Sequence, residues 1–419
     1  MKIFNCIILT SLFFFISCNQ NAISLNQNIE VQSRYLESRT PIILISIDGF
    51  RWDYFEKTDT PNFDRIIENG VRAEGLIPSY LSKTFPNHLS IVTGSHPNNH
   101  GIISNKMYDP IFKERYFIGQ GSTAAQDGKW LNREPIWVTV EKQDLRAMTM
   151  FWPTSDAEIM GIRPSEWYVY DESITNPQRM EKILSWLDLE GSNRPTFLST
   201  YMSIVDNAGH RYGPDSPEVI DSIIEADENI GILLDGLEAR GILEETNIII
   251  VSDHGMAATS SDSVIFLNDY VDLTKLNIIE TGPFAQLDVI DDNETESIYQ
   301  SLYQVHPELE VYKRYGFPSE YHLTDNPRIQ DLTLIASNHW TIIKDRSQFK
   351  GNLRGGDHGY SPTATDMHGI FIGTGPDFKK GFVGPRIKNI HLYEMMCSIM
   401  NIQSSVNDGN LEESLIFLQ

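Results

Sequence analysis

A chain of 419 residues, 41% hydrophobic and 21% charged, is long enough to bury a large core and too apolar for a disordered or fibrous class; one big α/β domain or two smaller ones fit. Its formal net charge of -24 argues against a nucleic-acid duplex or an anionic membrane surface as main partner, because both would repel it. A small anionic substrate stays compatible, since bound cations reverse the local field.

The first 39 residues carry an address rather than a fold. Met1-Lys2 is a weakly positive start, Ile7 to Ile16 is an apolar run too short to span a bilayer, and Ile16-Ser17-Cys18 closes it. Residues 1–17 resemble a bacterial lipoprotein signal, with Cys18 as the lipid-modified first residue of the mature chain and membrane attachment through that lipid. An ordinary secretory peptide cut nearby is the competing reading. Both predict export, to a bacterial periplasm or cell envelope. The polar stretch 18–39, rich in Asn, Gln and Ser, reads as a flexible tether. Cys6 leaves with the signal and Cys18 is acylated, so Cys397 is expected to stay unpaired.

From Pro41 the pattern is α/β. Ile42 to Ile47 is a β-branched run of the kind buried on both faces of a parallel sheet, and it stops at Asp48-Gly49. A helix is expected from Pro61 to Asn69. Tyr80 to His88 then runs into Leu89-Ser90-Ile91-Val92-Thr93-Gly94, which places Thr84 at a helix N-terminus with Pro86 in its first turn. A hydroxyl there faces unpaired backbone N–H groups, where a phosphate is well held; the competing reading is a simple N-cap. Helices follow at Pro177 to Leu189 and Pro217 to Arg240. Between and after them the runs Thr196 to Met202 and Asn247 to Ser252 lead to Asp206 and to Asp253-His254-Gly255.

Strands alternating with helices predict a doubly wound, mostly parallel sheet, in a catalytic domain at 40–404 with a tail at 405–419. From about 260 to 352 the rhythm changes: Phe284 to Val289, Leu309 to Tyr312 and Leu332 to Ala336 read as short alternating strands of a smaller inserted α+β lobe. Gly356-Asp357-His358-Gly359-Tyr360 and Met367-His368-Gly369 precede a last strand, Ile370 to Gly373.

Ligands of open α/β sheets bind beyond the carboxyl ends of the strands, so acidic residues at three strand ends are placed to converge. Oxygen and imidazole donors without thiolates favour zinc or manganese. Asp48, Asp206, His210, Asp253, His254 and His368 suffice for two metals with open positions, a set suited to a clamp on phosphorus.

The segments Ile47 to Arg51, Lys83 to His88, His100 to Asn105, Phe151-Trp152-Pro153, Asp206 to Pro214, Ser252 to Met256 and Gly356 to Gly369 resemble the nucleotide pyrophosphatase/phosphodiesterase family of the alkaline phosphatase superfamily. The resemblance implies an alkaline-phosphatase-type fold and hydrolysis of phosphodiester or pyrophosphate bonds through a phosphothreonine on Thr84. It further implies one zinc held by Asp48, Asp253 and His254 beside the Thr84 oxygen, and a second by Asp206, His210 and His368. Asn105 and the backbone N–H of Phe85 would donate to phosphate oxygens. Phe85 is expected to stack on a nucleobase, helped by Trp167, Tyr168 or Tyr170; packing in the core is the alternative for those three. His88, His100, His339 and His358 are expected to be structural or to orient a ligand. Two departures bear on substrate preference: Ile204-Val205 stand before Asp206 where the family has Glu-Pro, and Ser361-Pro362 follow Tyr360 where it has Asp-Asn. A phosphomonoesterase and a catalytically silent metal-binding surface lipoprotein are the other readings.

Overall fold

The computed structural model describes residues 40–419, apart from Gln120, Asn352 and the side chain of Gln348. The expected signal, Cys18 and the tether lie outside the described residues.

The Ile42–Ile47 strand is the middle of the molecule, and all of its residues are buried. It pairs in parallel with Phe197–Met202 on one side and with Asn247–Val251 on the other. Registers Ile47↔Met202 and Ser46↔Val251 end the three strands at one level, so the residues that follow them share a rim. Side chains alternate across the strand. Ile43, Ile45 and Ile47 pack under the helices Pro61–Glu68, Asn176–Leu187 and Pro217–Ala239. Ile42 and Leu44 face the opposite layer, which includes Leu89, Ile91 and Val92 of the helix Thr84–Thr93 and Leu392 and Met396 of Leu392–Ile399.

The full sheet has eight strands in the order Phe382–Gly384, Gly70–Ala73, Phe371–Thr374, Asn247–Val251, Ile42–Ile47, Phe197–Met202, Ala147–Met150, Glu166–Tyr168. Phe371–Thr374 runs antiparallel to both neighbours, because the chain reaches it from the rim that carries Asp253 and must descend. The expected doubly wound, mostly parallel architecture is therefore mixed at one strand.

The lobe is a four-stranded antiparallel sheet, Leu276–Glu280, Phe284–Val289, Leu332–Ala336 and Leu309–Lys313, with its own core around Leu287, Leu302, Leu332 and Leu334. Its first strand is half-buried and lacks the clean alternation of the others, which is why the sequence pattern missed it. Phe284 crosses into the main core, and Ser104 Oγ donates to Glu280 Oε2 at 2.5 Å, so the lobe is tied to the rim. The last residues fold onto the sheet edge: Phe417 is buried between Phe371 and Phe382, and Gln419 N donates to the Asp377 carbonyl at 3.0 Å.

Candidate active site

Thr84 is the first residue of its helix, and Lys83, in extended conformation, is the capping residue with no side-chain cap bond. The threonine hydroxyl therefore does not act as the N-cap. Its Oγ1 lies 3.3 Å from His254 Nε2 instead. Neighbouring polar residues hold this turn in place. His88 Nδ1 donates to the Thr84 carbonyl at 2.8 Å while its Nε2 meets Ser46 Oγ on the central strand at 2.7 Å. Asn87 ties the preceding loop through Leu81 O, Lys83 O and Ser79 N. Gly94, at φ 61, ends the helix in the left-handed conformation that glycine takes without strain.

Three overlapping groups of acidic and imidazole donors gather on the rim: Asp48, Asp253 and His254; Asp206, His254 and His358; His210, Asp357 and His358. His254 Nε2 lies 2.9 Å from Asp253 Oδ2 and 3.4 Å from Asp48 Oδ1. Asp206 Oδ1 lies 3.4 Å from His210 Nε2 and 3.8 Å from His358 Nε2. Gly49 makes this convergence possible: at φ 68 its missing Cβ would stand 2.9 Å from Asp206 Cα.

The donors fit divalent cations. Asp48 Oδ1, Asp206 Oδ1 and Asp253 Oδ2 are buried and accept no hydrogen bond. The far nitrogens of the three imidazoles face backbone carbonyls, which can only accept: His254 Nδ1 to Gly255 O at 2.9 Å, His210 Nδ1 to Gly356 O at 2.9 Å, His358 Nδ1 to Ser82 O at 2.8 Å. Each Nδ1 thus carries the proton, and each Nε2 turns toward carboxylate oxygens that offer nothing to donate. Such a meeting of lone pairs is relieved by a shared cation, with the carbonyls fixing the rings.

The crowding of these groups also shifts their titration in the metal-free chain. Burial, then the charges of Asp253 and Asp206, raises the Asp48 carboxyl well above its ordinary range. Burial opposes charge on His254, but Asp253 outweighs it and raises the imidazole's pKa. Burial, with His254 and Lys83 adding to it, holds His358 far below the usual histidine range and hence neutral. Tyr201, a residue the sequence did not single out, donates its hydroxyl to Asp48 Oδ2 at 2.5 Å, and burial keeps that proton on.

His368 stands apart from this arrangement, and among the described residues it joins none of the donor groups. Its Nε2 faces the Pro362 carbonyl at 2.9 Å and therefore carries a proton there. His358 instead shares a donor group with Asp206 and is stacked on His254 with ring centroids 3.4 Å apart. The signal was present in Gly356-Asp357-His358-Gly359, where two glycines flank the imidazole and let the backbone approach closely: a Cβ on Gly359 would meet Lys83 Cε at 2.6 Å.

Asn105 is where expected, yet its partner differs. Its Oδ1 accepts the Phe85 N–H at 2.9 Å, so that N–H holds the amide in place instead of facing open space, and the amide N–H donors form the other end. Of the expected aromatics, Tyr168 packs under the sheet against Phe151 and Trp186, and Trp167 lies under Arg163. Tyr170 is exposed, and its ring stands 6.1 Å from that of Tyr201, the residue that holds Asp48. Arg51 is occupied by Asp53 at 2.6 Å and the Met256 carbonyl at 2.9 Å. His100 is fully buried, and its Nε2 faces the Pro86 carbonyl at 3.1 Å. His339 is exposed and faces Asp366 at 3.3 Å.

Comparison with known proteins places this geometry. A family described as Type I phosphodiesterase / nucleotide pyrophosphatase matches residues 42–361. Bis(5'-adenosyl)-triphosphatase enpp4 of Xenopus laevis is 35% identical over 384 residues, 91% of this chain and 82% of that protein. Ectonucleotide pyrophosphatase/phosphodiesterase family member 5 of Homo sapiens is 32% identical over 404 residues, 96% of this chain and 82% of that protein. Among solved structures, inactive murine ectonucleotide pyrophosphatase/phosphodiesterase 5 in complex with AMP superposes with a TM-score of 0.86 at 30% identity, covering 91% of this chain and 100% of that one. The chain belongs to the type I phosphodiesterase/nucleotide pyrophosphatase family.

Proposed function

We propose that this chain is an exported zinc-dependent phosphodiesterase that cleaves nucleotide diesters or pyrophosphates through Thr84. The observation that carries the reading is a buried threonine hydroxyl at a helix N-terminus, 3.3 Å from an imidazole that shares its donor group with Asp48 and Asp253. Asp48, Asp253 and His254 would hold one metal, and Asp206, His210 and His358 the other. When bound, the two ions supply Lewis acidity to the hydroxyl and to the leaving oxygen.

Thr84 Oγ1 loses its proton and bonds to phosphorus as the opposite P–O bond breaks, its electron pair and a proton going to the leaving alcohol. Water then cleaves the phosphothreonine. Asn105, oriented by Phe85, donates to a non-bridging oxygen. A neutral amide suits a diester, whereas a dianionic monoester is better met by a guanidinium, and Arg51 is committed to Asp53. Phe85 and Tyr170 would flank the base of a nucleoside; the AMP bound by the murine relative supports a nucleotide substrate.

Residues 1–17 would direct export, Cys18 would carry the lipid anchor and 18–39 would tether the catalytic unit to the membrane. The test is colour release from the nitrophenyl ester of thymidine monophosphate against nitrophenyl phosphate, with and without chelator. Chelator-sensitive preference for the diester is expected, and preference for the monoester would overturn the assignment. For the anchor, Cys18→Ala should move the protein from the membrane fraction to the soluble one.

A further inference from the structure

We infer that Glu280, a residue of the inserted lobe, is a positioning residue for Asn105 and acts on it through Ser104. The inference rests on the phosphodiesterase reading, in which the Asn105 amide donates to a phosphate oxygen, and it gives the lobe a part in that step.

Glu280 ends the first strand of the lobe, Leu276–Glu280, and a bulge decides where it points. Ile278 pairs with Leu287 and Glu280 with Gln286, so two residues advance on one strand against one on the other. In unbroken register Glu280 would share a face with Leu276 and Ile278 and turn its carboxyl into the apolar core of the lobe. The extra residue puts it opposite Gln286 instead, on the face of Phe284, which packs in the core of the main domain.

There it meets a fully buried serine. Ser104 Oγ donates to Glu280 Oε2 at 2.5 Å and accepts the Lys106 N–H at 3.4 Å. Because the carboxyl receives the hydroxyl proton, a lone pair of the same oxygen is left for Lys106, and the turn so formed closes around Asn105. Asn105 has two supports of its own: its carbonyl accepts the Ile118 N–H at 3.1 Å, and its Oδ1 accepts the Phe85 N–H at 2.9 Å. Two points define an axis about which the amide can still tilt. The turn held by Glu280 is the third, and a donor stabilises a transition state only when its direction is fixed in advance.

The test is a double-mutant cycle on the holoenzyme with the nitrophenyl ester of thymidine monophosphate, with bound metal counted in each preparation. Glu280→Ala and Ser104→Ala should each lower kcat/KM about tenfold, and Asn105→Ala about a hundredfold. In the Asn105→Ala background, Glu280→Ala should cost less than about twofold, because the group it aims is gone. Glu280→Gln, whose amide oxygen still accepts from Ser104, should recover most of the loss. A second arm needs no turnover: in a Thr84→Ala background, calorimetry should show Glu280→Ala weakening thymidine monophosphate binding about fivefold with Asn105 present and not with Asn105→Ala. Losses that simply add in the cycle overturn the proposal and leave Glu280 as a tie between lobe and main domain. Wild-type turnover in Glu280→Ala or in Asn105→Ala overturns it too. Wild type that cleaves no diester defeats the phosphodiesterase reading alone, and the calorimetric arm then decides the role of Glu280.

Discussion

Thr84 Oγ1 lies 3.3 Å from Nε2 of His254, the same nitrogen that faces Asp253 at 2.9 Å and Asp48 at 3.4 Å. The hydroxyl at the head of one helix and the donors at two strand ends thus converge on one point. Residues far apart in the chain meet there because the central strands end in register.

The exchange of His368 for His358 in the second donor group gives the sharpest test of the geometry. His358→Ala should lose one of two bound metals after dialysis, with turnover falling more than about a hundredfold, since a direct ligand costs at least what its supports do. His368→Ala should retain both. Metal content by mass spectrometry decides, and loss of a metal in the His368 variant alone would reverse the assignment.

Tyr201 supports the other group. Tyr201→Phe removes the donor to Asp48 Oδ2 at 2.5 Å and leaves the ring packing against His88 intact. Affinity for one metal should fall about tenfold to a hundredfold, read by competition with a chromophoric chelator. Unchanged affinity would mean that Tyr201 only fills space.

Gly49→Ala should destabilise the metal-free protein by about 2 kcal/mol, because alanine pays for the left-handed backbone and for a Cβ placed against Asp206. The same change should weaken metal uptake. Thermal melts of the metal-free protein check the first part. A melting temperature within error of wild type contradicts it.

His100 gives a pH signature. Burial lowers its pKa to about 3, while the unfolded chain titrates near 6.5, its ordinary value. A folded-state pKa below the unfolded one means that stability is fully present above the unfolded pKa and is lost as pH falls from 6.5 toward 3. The loss from this one group approaches about 1.4 kcal/mol per pH unit in that window. His100→Asn should be less stable at neutral pH and show a shallower decline on acidification, measured by urea melts from pH 7.5 to 5. Parallel slopes for the two proteins would contradict the assignment.

Much of this was legible in the sequence, for physical reasons that differ by element. The Ile42–Ile47 and Asn247–Val251 strands announce themselves because burial on both faces demands unbroken apolar runs, and their ends fix Asp48 and Asp253. Thr84 was legible from Pro86 and Gly94, which bracket its helix. What escaped was tertiary. Choosing between His358 and His368 depends on which loop folds inward, and both imidazoles sit beside glycines in neighbouring turns. Tyr201 alternates with buried strand residues and reads as core until its hydroxyl is seen on Asp48. The strand carrying Glu280 is half-exposed and has no clear period, so its arrival beside Ser104 left no mark in the pattern.

The central claim is that Thr84 is the nucleophile of a dinuclear site it does not itself hold together. Thr84→Ala, assayed on the nitrophenyl ester of thymidine monophosphate with bound metal counted in the same preparation, tests it most directly. The account predicts two metals per chain and turnover down by more than about a thousandfold, the scale of losing a nucleophile. Turnover within about tenfold of wild type, with both metals in place, would contradict it.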